Sequence, residues 1–177
     1  MGGMNTVFFD VETKRIFDEV GGRENIKALG LAAAVTYSSA AGAFRHYTEE
    51  NVDALLAELN AADLVVGFNV LRFDYEVLRP YGPVNPARTV DMLDHIYRRL
   101  GFRISLASLA EATLGVCKSA DGLQAVRWYK EGRIQEILVY CQQDVDITRR
   151  LYEYGQQNKH LKYKDRNLRI QMVPVSW

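Results

Sequence analysis

Cysteine, proline and histidine are scarce in this 177-residue chain, with two, four and three copies. Cys117 and Cys141 show no C-x-x-C spacing, and His46, His95 and His160 stand far apart. This excludes a zinc framework of ordinary ligand spacing and a disulfide scaffold, and it fits a reducing, cytoplasmic setting. No apolar run reaches bilayer-spanning length and no secretory-type stretch follows the N-terminus, so no membrane association is expected. The N-terminal MGGMNT formally fits the myristoylation pattern at Gly2, but the pattern is short and permissive. Neither G-x-G-x-x-G nor G-x-x-x-x-G-K-S/T occurs, which removes the common nucleotide cradles, and the lack of G-x-S-x-G removes the serine-hydrolase elbow. An excess of charge is missing too: 22 Lys and Arg balance 22 Asp and Glu. A protein that grips duplex nucleic acid over its whole surface is basic, so any such contact here has to be local.

What is present describes one globular α/β domain over residues 1–177, with 48% apolar and 25% charged residues. Thr6 to Phe9 reads as a buried strand, Lys14 to Asn25 as a loop, and Ala28 to Tyr37 and Ala43 to Tyr47 as two further strands of a meander. Helix period over Asn51 to Ala61 is followed by a short strand, Asp63 to Phe68, and a helix starting at Phe73 that Pro80 and Gly82 end. Val84 to Arg88 reads as a connection. Helices follow at 92–100, 106–114 (capped by Ser105), 123–129 and 134 to about 156, the last with Ile137, Leu138, Cys141, Val145 and Thr148 inward. Leu161 to Tyr163 and Leu168 to Val173 close as a hairpin. It lies in a basic C-terminal extension, 149–177, where seven Lys/Arg meet Glu153 and Asp165, a balance of +5. Strands first and helices after predict a sandwich with a mixed central sheet, with remote segments converging at one sheet edge.

Three acidic clusters carry the chemistry. Asp10 and Glu12 sit in VFFDVET, Asp74 in GFNVLRFD, and Asp144 in YCQQD behind Tyr140. D-x-E on a strand projects both carboxylates from one face, and Y-x-x-x-D on a helix does the same one turn apart. Carboxylates gathered in one cleft repel, so a positive partner must hold them, and hard divalent cations prefer oxygen ligands. Each signal has a bland reading: a solvated strand end, a helix start with Asp74 on the dipole, a core tyrosine beside a surface aspartate. Their order on suitable elements favours the metal reading.

These motifs resemble those of the DnaQ-like (DEDD) 3′–5′ exonucleases, which have a ribonuclease-H-like fold: a three-layer sandwich with a mixed sheet flanked by helices. Tyr140, four residues before Asp144, is similar to the tyrosine (DEDDy) branch, since the position of the other branch's histidine holds Val139. Lys118, Trp128 and YCQQDV are similar to the YprB-like bacterial group. The resemblance implies two Mg²⁺ or Mn²⁺ ions held by Asp10, Glu12, Asp74 and Asp144, with Tyr140 orienting the attacking water. It implies release of nucleoside 5′-monophosphates from 3′ ends of single-stranded DNA or RNA, and a helicase or polymerase partner. Thr13, Lys14, Asn69, Phe73 and Lys118 are candidate substrate contacts; Lys14 either touches phosphate or faces water. Asp91 and Asp94 are similar to further acids of this group, and Asp91 reads either as a helix cap or as a support for the metal ligands. Phe68, Phe73, Trp128 and Tyr129 either stack bases or fill the core. The alternative is a catalytically silent nucleic-acid-binding or interaction module on the same fold. DNA-versus-RNA preference and oligomeric state are left open.

Overall fold

The computed structural model describes residues 3–118 and 120–177, so Gly2, the acceptor of the myristoylation pattern, lies outside the described residues. Its main sheet has five strands in the order β3-β2-β1-β4-β5: β1 Thr6–Thr13, β2 Leu31–Ser38, β3 Ala43–Tyr47, β4 Leu64–Gly67 and β5 Thr89–Asp91. β1 to β3 form the expected antiparallel meander, while β4 runs parallel to β1 and β5 parallel to β4. The sheet is therefore mixed. β5 stands directly after the stretch read as a plain connection, and it is too short to show a period.

Strand alternation divides the side chains of β1 between two cores. Val7, Phe9 and Val11 pack with α1 (Val52–Ala61) and α2 (Asp74–Leu78) on one side. Phe8 packs on the other with α3 (Met92–Leu100), α4 (Leu106–Leu114), α5 (Gly122–Lys130) and α6 (Ile134–Asn158). Every inward position expected on α6, Ile137, Leu138, Cys141, Val145 and Thr148, is buried. At about 25 cal/mol per Å² of apolar area removed from water, these two faces supply the main stabilising term.

One expectation needs correction. The segment read as a loop, Lys14 to Asn25, carries the 3₁₀ turn Phe17–Val20 and the start of a second, Arg23–Ala28, the first closed by Gly21 in the left-handed region at φ +83°. β1 is the central strand, so the residues it carries lie over the middle of the sheet. The C-terminal hairpin forms as expected from β6 (His160–Lys164) and β7 (Ile170–Pro174). Leu161 and Val173 anchor it in the core, and the Thr113 hydroxyl bonds both the N–H and the carbonyl of Lys162.

Candidate metal centre

β1 outruns β4. Its pairing with β4 stops at Phe8↔Val66, leaving the backbone of its second half without a strand on that side. Asp74, the first residue of α2, fills the gap: its Oδ1 accepts the Val11 N–H at 3.0 Å, and the residue is 2% exposed. The turn that brings it there begins at Gly67, where a Cβ would stand 2.1 Å from Val70 Cγ1. Next comes Asn69 at φ +64°, a left-handed conformation that asparagine tolerates better than most residues.

Asp91 locks this turn. Its Oδ1 accepts from the N–H groups of Asn69, Leu93 and Asp94, and its Oδ2 from Leu71. It thus caps α3, as expected, and ties down the loop between β4 and α2. Asp94 instead pairs with Arg98 at 2.8 Å on the helix surface.

Asp10 and Glu12 project from the Phe8 face of β1 toward α6, Glu12 buried and Asp10 half-buried. On α6, Tyr140, Cys141 and Asp144 are all buried. Ligand-capable atoms of Asp10, Glu12 and Cys141 lie within 4.8 Å of one another, and the Cys141 thiol donates to the Asp10 carbonyl at 3.3 Å and to its carboxylate at 3.6 Å. Asp144 Oδ2 accepts from Lys118 Nζ at 2.8 Å, while its Oδ1 is buried with no hydrogen-bond partner among the described residues. A cleft of about 460 Å³ is lined by Asp10, Glu12, Asp74 and Asp144 together with Phe68, Asn69, Phe73, Arg103 and Lys118.

Burial and mutual repulsion set the electrostatics. Asp10 is pushed up to about 7, first by burial and then by Asp144, with Lys118 opposing. Glu12 rises well above the carboxylate range through burial, Asp10 and Asp144. Asp74 does so through burial and Asp10, with the Val11 N–H pulling the other way. Asp144 is raised by burial against the effect of Lys118. Burial raises the Cys141 thiol well above its ordinary value, in keeping with the hydrogen bonds it donates to Asp10. Burial and then Asp144, Glu12 and Asp10 push the Tyr140 phenol far above 10.

This donor set fits a hard divalent cation. Carboxylate oxygens dominate it, one of them an orphaned buried atom, and Lys118 is the one ammonium paired into the group among the described residues.

The other expected contacts are placed unevenly. Thr13 donates its hydroxyl to the Arg15 carbonyl at 3.0 Å and lines a neighbouring apolar pocket. Lys14 pairs with Glu49 and lies 5.7 Å from the centre of the Tyr129 ring, so it is not simply solvated. Phe68, Phe73, Trp128 and Tyr129 are all half-buried, each packed against one of the two cores with part of its surface exposed. Lys118, a loop residue for which solvation is the ordinary expectation, is largely buried on Asp144. Sequence reasoning missed Arg103, whose Nη2 donates to Asn69 Oδ1 at 2.9 Å, and the role of Cys141. The cysteine was findable, since it stands three residues before Asp144 on one helix face.

A mixed α/β sheet with a carboxylate cleft over its central strand defines the ribonuclease-H-like class of domain. A family model of the RNase H superfamily matches residues 7–156, and the chain belongs to that superfamily. Membership points to nuclease chemistry, which in this superfamily uses divalent metals. The fold is similar to that of the family B DNA polymerase from the hyperthermophilic archaeon Pyrobaculum calidifontis, with a TM-score of 0.66 at 17% identity. That likeness covers 87% of this chain and 25% of the polymerase, so the chain spans about a quarter of that protein. No curated protein matches it significantly.

Proposed function

We propose that the chain is a metal-dependent 3′–5′ exonuclease of the DEDDy type, similar to the YprB-like group, acting on single-stranded DNA or RNA. One observation carries this reading: Asp10, Glu12, Asp74 and Asp144 line one cleft, and Asp144 Oδ1 is buried with no hydrogen-bond partner among the described residues. Such an arrangement costs stability unless a cation relieves it.

Asp10, Glu12, Asp74 and Asp144 would hold two ions, Mg²⁺ or Mn²⁺. Bound there, such ions supply Lewis-acid stabilisation and an activated water for in-line displacement at phosphorus. Tyr140 orients the attacking water through a neutral hydroxyl, because a phenol raised this far cannot act as a base near neutral pH. Lys118 supplies a cation for a substrate phosphate once it leaves Asp144. Asn69, held by Asp91 and Arg103, and Phe73, packed edge-on against Phe17, form the wall for the terminal nucleotide. Thr13 and Lys14 would shape the far side through their contacts with Arg15 and Glu49. In this reading residues 1–177 act as one domain, in a cytoplasmic setting, on the 3′ end presented by a helicase or polymerase partner.

The deciding assay uses end-labelled single-stranded DNA and RNA, with the 3′ end free or blocked, in Mg²⁺ or Mn²⁺. Stepwise release of nucleoside 5′-monophosphates from free 3′ ends alone is expected. Binding of Mn²⁺ with no hydrolysis of either polymer would leave the silent module instead.

A further inference from the structure

Beside the acid cleft lies a second, larger groove of about 680 Å³, between the turn of the C-terminal hairpin and the loop after α3. Phe102 and Arg103 form one wall, and Tyr163, Lys164, Arg166 and Asn167 form the other. Arg103 also lines the acid cleft, so one guanidinium borders both spaces. The hairpin lies beyond residue 156, where the family match ends.

The groove's chemistry is specific. Phe102 is 49% exposed, a large apolar area for a loop residue, and it stands edge-to-face with Tyr163 at 6.0 Å. About half of Phe102 is therefore accessible to a ligand. Arg103, Lys164 and Arg166 surround it with positive charge. Lys164 is paired with Glu111, whereas Arg166 is exposed and makes no ion pair among the described residues. The one lining acid, Asp165, is engaged in the turn: its carboxylate accepts from the Asn167 and Arg169 N–H groups and from Gln171 Nε2. The hairpin is anchored to the core through Leu161 and Val173, both fully buried.

We infer that this groove is a binding subsite for the single strand whose 3′ end enters the acid cleft, an inference that rests on the nuclease reading of that cleft. A base stacks on Phe102, and Arg103 and Arg166 take the flanking phosphates. An unpaired strand is the fitting occupant, because stacking on an aromatic side chain needs a base face that a duplex hides. The neutral chain thereby concentrates its basic contact along one path.

The test measures anisotropy of labelled dodecamers and dinucleotides, DNA and RNA, on the full chain with calcium in place of magnesium. Phe102→Ala weakens dodecamer binding by about tenfold. Arg166→Ser weakens it several-fold and flattens the logarithmic salt slope by about 0.7. Dinucleotide hydrolysis in Mg²⁺ is unchanged in both variants, since it needs only the acid cleft. Equal dodecamer affinity and salt slope in the wild type and both folded variants overturn the subsite. So does a wild type that binds the dodecamer no more tightly than the dinucleotide. If Phe102→Ala melts early, Phe102→Leu and the exposed Arg166→Ser carry the comparison. Loss of all hydrolysis in the wild type removes the nuclease reading, while dodecamer binding still decides the groove.

Discussion

Lys118 Nζ stands 2.8 Å from Asp144 Oδ2, with both side chains largely buried, and 5.2 Å from the centre of the Tyr140 ring. It is a tethered cation in a cleft otherwise crowded with carboxylates, and it shares its partner with any metal that binds there. Lys118→Met should therefore do two opposite things. The metal-free protein loses about 3 kcal/mol, as expected when one member of a buried pair is removed. Mn²⁺ binds more tightly, because no ammonium competes for Asp144. Calorimetric titration and urea melts measure the two effects, and a variant matching wild type in both would show that the pair is incidental.

Asp10 gives a pH signature. Its folded value, about 7, lies above the ordinary 3.8, so folding favours the protonated form. The associated stability is complete below about pH 4 and is lost as pH rises through about 7. Without metal, wild type should weaken relative to Asp10→Asn by the order of a few kcal/mol between about pH 5 and pH 8. Taking the difference between the two proteins cancels His95, which burial lowers and which works in the opposite sense. Saturating Mn²⁺ restores the wild type but not the variant. Parallel urea midpoints across pH in EDTA would contradict the crowding of these carboxylates.

Tyr140→Phe keeps the ring against Trp128, 6.2 Å away and edge-on, and deletes only the hydroxyl. Turnover is expected to fall by about a hundredfold with KM and Mn²⁺ affinity nearly unchanged, the pattern of a group that acts in the transition state. Steady-state kinetics on a short oligonucleotide decide it. Undiminished turnover would reduce Tyr140 to a packing residue.

Asp91→Asn separates scaffold from ligand. All four of its hydrogen bonds accept backbone N–H groups, and an amide can keep only those made by its carbonyl oxygen. A loss of about 1–3 kcal/mol is expected, with the stabilisation by Mn²⁺ retained. Were metal affinity to vanish while the melting temperature held, Asp91 would belong among the ligands.

Much of this centre was legible because period and chemistry coincide. Asp10 and Glu12 alternate on a strand, Tyr140 and Asp144 repeat on a helix, and Asp91 and Ser105 sit where caps belong. What stayed hidden depends on distant pairing. β5 has three residues and no readable alternation, and the central place of β1 follows from β4 and β5 adding on its far side. Arg103 reaches Asn69 from a loop 34 residues away, with no local pattern to announce it. The side chain of Lys118 reads as solvent-facing until α6 is laid across the sheet.

The two faces of β1 carry a further consequence. Phe8, Asp10 and Glu12 look toward α6, and Val7, Phe9 and Val11 look the other way. Inserting or deleting one residue just ahead of Asp10 within the strand would turn the residues beyond it over, driving the carboxylates into an oily layer and Val11 toward the cleft. Chemistry and foldability are thus spelled in the same reading frame along this strand. A single substitution here alters one side chain, whereas a change of length shifts every side chain beyond it to the opposite face.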